Sequence, residues 1–393
     1  MLKVGLFNDS FPPTIDGVAN AVVNYAEIIN KKYGIPIVIT PKYPNIIDHY
    51  DFEVYRYQSA KFSREMPYRV GNPFSPITLR DISKMKLDIM HIHSPFASSV
   101  LANEVSLLNF KRTPMVLTYH TKYDIDIDRF VENEVFNAIS KKFILSNINQ
   151  SDEVWAVSNG TVESLRKIGY EGDVIIMPNG TDFTRGKASL EKIAEIDRMY
   201  QTQNEELVFL YCGRMMWYKN IKITLDAIKI IADAGIRYKM FFLGDGPDRP
   251  FIEKYAVELG IYDRVIFTGA IFDREKVKAF FSRANLFLFP STYDTSGLVV
   301  KEAAACECAS ALIRGCCAAE DVEDGVSGIL ADCESGESFA KAIIEAIKVP
   351  GLLSKLGKAA SESVYCSWDD SVDRAYKRYE YVVENFKSKA SQK

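Results

Sequence analysis

The chain has 393 residues, of which 47% are hydrophobic and 25% charged, and its net charge is −4. This length predicts about two domains of ordinary size, and the acidic balance argues against a nucleic-acid binder, which carries a basic surplus. No apolar run approaches the ~20 residues of a membrane span, and MLKVGLFND turns acidic too soon for a secretory leader.

Seven cysteines, six of them from Cys306 to Cys366, read as reduced cytosolic thiols. Cys306, Cys308, Cys316 and Cys317 invite a zinc reading. A C-x-C pair points its thiols apart, however, and the Ala and Ser around it are those of a core. KVGLF (3–7) has the pattern of a buried strand, and 18–32 that of an amphipathic helix. IPIVIT (35–40), LDIMHIH (87–93), PMVLTYH (114–120), EVWAVS (153–158) and DVIIMP (173–178) continue as strands, with helical patterns between the later ones. Such alternation predicts a parallel, doubly wound sheet. From Leu207 the pattern restarts: VFLYCG, KMFFLG, RVIFTG, LFLFP and ASALI are strands, spaced by helices such as 219–234 and 249–260. The expected division is a first domain over 1–180, a polar linker over 181–206 and a second domain over 207–365. Segment 366–393 carries a last helix (369–387) placed to pack back across the first domain.

Ligands of such sheets bind beyond the carboxyl ends of the strands. The first strand exits into NDSFPPTIDGVAN, where two prolines stiffen the loop and Gly17 lets the backbone approach a ligand before a helix. His93 and His120 end two successive strands. A single histidine there is ordinarily a hydrogen-bonded structural residue, and two on neighbouring exits point towards a site. In CGRMMWYKN, Arg214 and Lys219 stand between a strand and a helix, as a diphosphate requires. In PSTYDTSGLVVKEAAAC, Asp294 lies in a loop, a helix opens at Gly297, and Glu302 follows Asp294 by eight positions. Free N–H groups at a helix start suit a phosphate and carboxylates suit hydroxyls, a combination found in a nucleotide sugar. The plain alternative is a capped strand–helix turn with a solvated Glu. Magnitudes favour a joint arrangement: a helix dipole contributes about 0.3–2 kcal/mol and a charge-assisted hydrogen bond about 1.5–3 kcal/mol. Catalysis removes about 8 kcal/mol or more, so two cations are the complement the dipole needs.

Over nearly its whole length the chain resembles glycosyltransferase family 4, the retaining transferases of the GT-B fold. The resemblance is carried by FNDSFPPTIDGVANAV, LDIMHIHSPF, PMVLTYHT, VWAVSNGT, IIMPNGTD, YCGRMMWYKNI, FFLGDGP, VIFTGAI, FPSTYDTSGLVVKEAAAC and DGVSGILAD, in that order. It implies an α/β architecture of two Rossmann-like doubly wound domains facing across a cleft, with the C-terminal helix crossing back. It also implies that Glu302 holds the donor's ribose and Asp294 its sugar hydroxyls. The backbone at Ser296, Gly297 and Leu298 meets sugar and phosphate, and Arg214 and Lys219 neutralise the leaving diphosphate. Gly17 closes on the phosphates, His120 sits over the reacting sugar face, and Ile271 lies where the base is seated. No cofactor or metal is implied beyond the nucleotide sugar, UDP-glucose by resemblance.

Three places depart from the pattern. Asp294 stands where Glu is usual, Glu307 where Gly is common after the helix-ending cysteine, and Trp217 and Tyr218 where shorter or charged residues are common. The two aromatics would stack on a sugar or simply pack the loop. DIDID (124–128) imitates a metal-binding D-x-D, but its setting is a helix start. FLGDGP imitates a dinucleotide loop, but Arg249 replaces its third glycine.

The acceptor is less defined. The opening segments look most like the branch that glucosylates diacylglycerol. From 56 to 86, seven basic residues stand against two acidic ones, with Phe62, Met66, Tyr68 and Phe74 interleaved. This stretch would suit peripheral contact with an anionic membrane, at the inner face of the plasma membrane, or be a solvated loop. A soluble sugar or small-molecule acceptor, a nucleotide-sugar epimerase and a non-catalytic sugar-nucleotide binder stay open as alternatives.

Overall fold

A computed structural model describes residues 1–14, 16–61, 69–109, 113–130, 133–203 and 207–391. The chain packs as two units, Met1–Asn179 with Trp368–Lys393, and Gly180–Ser367.

The first unit opens with β1 (Lys3–Phe7), α1 (Gly17–Lys32), β2 (Ile35–Pro41), β3 (Glu53–Tyr57) and the short hairpin β4 (Ser59–Lys61) and β5 (Arg69–Gly71). It continues through α2 (Pro76–Lys84), β6 (Ile89–Ile92), α3 (Ala97–Leu108), β7 (Met115–Tyr119), α4 (Tyr123–Phe130), α5 (Glu134–Ile148), β8 (Glu153–Ala156), α6 (Asn159–Lys167) and β9 (Val174–Ile176). Local chemistry sets the helix starts. Asp16 accepts from Ala19 N at 2.7 Å to cap α1, Ser75 precedes Pro76 at α2, and Ser158 and Thr161 form a reciprocal capping box at α6. Seven strands form one parallel sheet in the order β3-β2-β1-β6-β7-β8-β9. Strand β3 lies at the edge, and its EVYRY shows neither alternation nor an apolar run, which is why the sequence pattern passes over it.

The second unit comprises α7 (Leu190–Tyr200), β10 (Val208–Cys212), α8 (Ile221–Asp233), β11 (Lys239–Leu243), α9 (Arg249–Glu258), β12 (Val265–Gly269), α10 (Arg274–Arg283) and β13 (Leu286–Leu288). It closes with α11 (Leu298–Ala305), β14 (Ala309–Ile313), β15 (Gly328–Ala331), α12 (Gly336–Ile347) and α13 (Leu352–Ser363). Its six strands are parallel in the order β12-β11-β10-β13-β14-β15. The polar stretch 181–206 contains α7, whose Ile196 is buried in the second core. Phe209, Phe241, Phe242, Phe280 and Phe287 fill that core, which also holds Cys306, Cys308 and Cys316.

The last helix, α14 (Trp368–Ser391), packs on the first unit. Tyr376 Oη accepts from Leu2 N at 2.9 Å, and Arg378 grips Glu153 through two bonds of 2.6 and 2.9 Å. Buried Tyr379 meets His91 Nδ1 at 2.5 Å. Two doubly wound parallel sheets with a returning C-terminal helix are the GT-B architecture that the resemblance implies.

Candidate functional site

Each sheet has a point where strand order reverses, between β1 and β6 in the first unit and between β10 and β13 in the second. Loops leaving neighbouring strands there diverge to opposite faces and open a crevice at the strand ends. In the second unit the two exits are those of Arg214–Lys219 and of Asp294–Glu302.

After β10, Arg214 is exposed, and no ion pair engages it among the described residues. Residues Trp217–Lys219 form a 3-10 turn. It carries Lys219 Nζ to 2.6 Å from Asp294 Oδ1, and Ser291 Oγ donates to the other carboxylate oxygen at 2.5 Å. Asn220, left-handed at φ 59°, ends the turn and donates to Pro290 O at 3.0 Å and Glu334 Oε2 at 3.2 Å, joining the two exits. Trp217 packs edge-on against Tyr255 at 6.1 Å and Tyr218 lies 4.6 Å from Tyr293, so both aromatics pack the loop.

Gly297 precedes α11 with φ 54°, and a Cβ there would lie 2.9 Å from Ala318 Cα. Conformation and space together demand glycine. No side-chain bond caps α11 at Gly297; Val300 N donates to Gly297 O at 2.8 Å, and the N–H groups before it in the turn, next to Ser296, meet no capping hydroxyl or carboxylate from the N-cap. One turn on, Glu302 is 12% exposed and pairs with Arg274 Nη2 at 2.6 Å. Arg274 also forks onto Asp182 at 2.5 and 2.8 Å. Burial pushes the Glu302 carboxyl above its usual range, and Arg274 pulls it back. Ile271, after β12, is half-buried against the second core.

In the first unit, three buried histidines lie on β6 and just after β6 and β7. His91 bonds Tyr379 and, through Nε2, Thr118 at 2.7 Å. His93 Nδ1 and His120 Nε2 are 3.0 Å apart, while His93 Nε2 is buried without a partner among the described residues. Burial drives all three imidazoles towards the neutral form, His120 to about 3. Asp9, beside them at the β1 exit, accepts from Ser94 Oγ, Ser98 N and Ser98 Oγ at 2.7–3.0 Å. It thus serves the start of α3, whose own N-cap Phe96 offers no side-chain bond. Gly17 is the first residue of α1, and a Cβ there would meet no described atom within 4 Å. Packing within the protein therefore does not require glycine at that position.

Two family models divide the chain: Glycosyltransferase Family 4 matches residues 15–185 and Glycosyl transferases group 1 matches residues 192–363. An alpha-monoglucosyldiacylglycerol synthase of Acholeplasma laidlawii is 25% identical over 92% of this chain and 92% of its own. The chain is a GT-B glycosyltransferase related to family 4. An N-acetyl-alpha-D-glucosaminyl L-malate synthase of Bacillus anthracis is 26% identical, covering 84% of this chain and 82% of that protein. The fold matches that of Anabaena HepE, crystallised with UDP and glucose, with a TM-score of 0.74 at 16% identity over 97% of this chain and all of the other.

Several residues of this glycosyltransferase escape the sequence reading. Arg274 lies five residues beyond β12, where the strand-exit rule reaches it, but nothing local links it to Glu302, 28 positions away. Asp182 and Asn220 are marked by no pattern, since their partners are 92 and 70 positions distant. The DIDID carboxylates sit on α4 as a helix start: Asp124 accepts from Ser164 Oγ, and Asp128 pairs with Lys141 at 2.5 Å. Among the described residues no group of three or more His, Cys, Asp or Glu is arranged to hold a metal ion, and no described helix is long and apolar enough to cross a membrane.

Proposed function

We propose that this glycosyltransferase moves a glucosyl unit from UDP-glucose to an acceptor hydroxyl with retention of configuration and without a metal ion. The observation that carries the reading is the pairing at the β10/β13 reversal, where Lys219 on one exit meets Asp294 on the other at 2.6 Å. Glu302 holds the ribose, Asp294 the sugar hydroxyls, and the backbone of Ser296, Gly297 and Leu298 the sugar and phosphate. Ile271 seats the base, Gly17 admits the phosphates and His120 covers the reacting face of the sugar. Arg214 and Lys219 take up the negative charge as the bond from sugar C1 to the diphosphate breaks. The acceptor oxygen joins C1 on the same face, and its proton passes to the departing phosphate oxygen. The protein supplies position and charge, in keeping with a front-face route.

Diacylglycerol is the acceptor we favour. Support comes from the Acholeplasma relative and from α5, where Val135, Phe136, Ile139 and Phe143 share one face at 47–66% exposure. An apolar row of that size on a helix suits a lipid surface. Of the basic stretch over 56–86, residues 62–68 lie outside the described residues. Its hairpin β4–β5 borders a cavity of about 770 Å³ lined in part by Lys42 and Arg69. A soluble carboxylic acceptor is the second reading, favoured by the Bacillus relative's name.

The test is release of UDP from UDP-glucose with and without diacylglycerol vesicles, in the presence and absence of EDTA. Acceptor-dependent release that survives EDTA, with an α-linked product by NMR, is expected. Loss of transfer in EDTA defeats the metal-free route, and conversion of the donor without an acceptor points to an epimerase.

A further inference from the structure

Glu302 has a neighbour that this reading leaves idle. Arg274, at the first turn of α10, donates from Nη2 to Glu302 Oε1 at 2.6 Å. Its Nε and Nη2 bind the two oxygens of Asp182 at 2.8 and 2.5 Å, and its guanidinium lies 4.3 Å over the ring of Phe183. Two bonds to one carboxylate and a ring face beneath fix a side chain that otherwise carries about 2 kcal/mol of rotamer entropy. A guanidinium immobilised in this way acts as a fixed anchor for whatever its remaining N–H groups touch.

What it touches is one oxygen of Glu302. No other hydrogen bond reaches that carboxylate among the described residues, so Oε2 is left for a ligand. A buried carboxylate without a compensating charge is costly. Here the compensation comes from Arg274 rather than from a group on α11 itself.

We infer that Arg274 is a positioning residue for the donor: by gripping Glu302 through Oε1 it aims Oε2 at the ribose 2′-hydroxyl of a nucleoside diphosphate. The inference rests on the assignment of Glu302 to the ribose. Asp182 and Phe183 act one step further out, holding the guanidinium.

A role confined to packing α10 would weaken all ligands alike, whereas a role through Glu302 acts only where a ribose 2′-hydroxyl is present. Calorimetric titration of UDP and GDP, each beside its 2′-deoxy counterpart, separates the two. Glu302→Ala is expected to weaken the ribonucleotide about 10–100-fold, and Arg274→Met about tenfold. For the deoxy counterpart both losses shrink to less than about twofold, because the contact is already gone. Arg274→Lys, which keeps the charge without the fork, recovers part of the loss and serves as the readout should the Met variant fail to fold.

In Arg274→Met the loss of affinity on acidification begins at a higher pH than in the wild type. The other titratable groups facing Glu302 are Asp182, Cys212 and Cys306, and burial pushes both thiols up, Cys306 to about 12. Neither thiol therefore supplies that limb. If Glu302→Ala leaves ribonucleotide affinity unchanged, the ribose assignment itself fails. If Glu302→Ala weakens it while the Arg274 variants bind ribo- and deoxynucleotide in the wild-type ratio, the inference alone fails.

Discussion

The two units share one wiring and differ in charge at the corresponding place. At the exits of β1, β6 and β7 the polar groups include three imidazoles held neutral by burial, with the Asp9 oxygens engaged by α3. Where β10 and β13 diverge, they are Arg214, Lys219, Asp294 and Glu302, full charges kept partly in contact with solvent. All four histidines of the sequence lie in the first 120 residues, and the second unit has none. The same strand reversal in both sheets thus carries a buried, neutral histidine cluster in one case and charged groups at the loops in the other. The second concentrates ionic groups, an exposed Arg214 beside the Lys219–Asp294 pair.

The comparison breaks most visibly at the cations. Replacing Arg214 and Lys219 together by Ala is expected to lower kcat by about 10²–10³, with a smaller loss of stability because Asp294 then lacks its Lys219 partner. Release of nucleoside diphosphate at saturating donor measures it. A drop in stability equal to the drop in rate would make the pair structural.

A medium-sized effect separates the units by pH. The three histidines have folded values below the unfolded ~6.5, so the stability they contribute is complete above that pH and is lost as pH falls towards the folded values. Between about pH 6.5 and 5, before most carboxylates titrate, the first unit should therefore lose stability as the unfolded chain takes up protons that the buried imidazoles do not. The second unit should hold. Trp155 and Trp368 report on the first unit and Trp217 on the second. Urea melts of a Trp217→Phe variant, followed by fluorescence against the wild type, distinguish them. Equal losses in both units would overturn the contrast.

The smallest expected effect lies in the second unit's framework. Glu307 ends α11 at φ 55°, a left-handed position that costs a residue with a Cβ about 1 kcal/mol relative to glycine. Glu307→Gly is expected to raise stability by about that amount, seen as a higher denaturation midpoint with unchanged transfer. A lower midpoint would mean that the Glu side chain provides a contact worth more than the backbone strain.

Legibility followed the range of the interaction. KVGLF, IPIVIT and ASALI declare themselves as strands because each is buried on both faces. EVYRY at the edge does not, and β15, GILA, is too short at four residues to show a pattern. Lys219 and Asp294 are visible because each stands in a loop at a strand exit. Their 2.6 Å pairing is not, since it spans 75 positions. Trp217 and Tyr218 show the limit of composition: two aromatics in a loop read equally as ligand platform or packing, and Tyr255 and Tyr293 decide for packing.

By itself the sequence determined that this is an α/β protein of two similar halves, and which residues stand at strand exits, because periodicity and capping are set within a few residues of each other. The tertiary structure alone decided where strand order reverses, and so which exits face each other. It also decided that Arg274 holds Glu302, that Asp9 starts α3, and that Tyr379 of the final helix closes over His91. Those contacts join positions 28 to 288 residues apart, and only the packing of a complete sheet brings such partners within bonding distance.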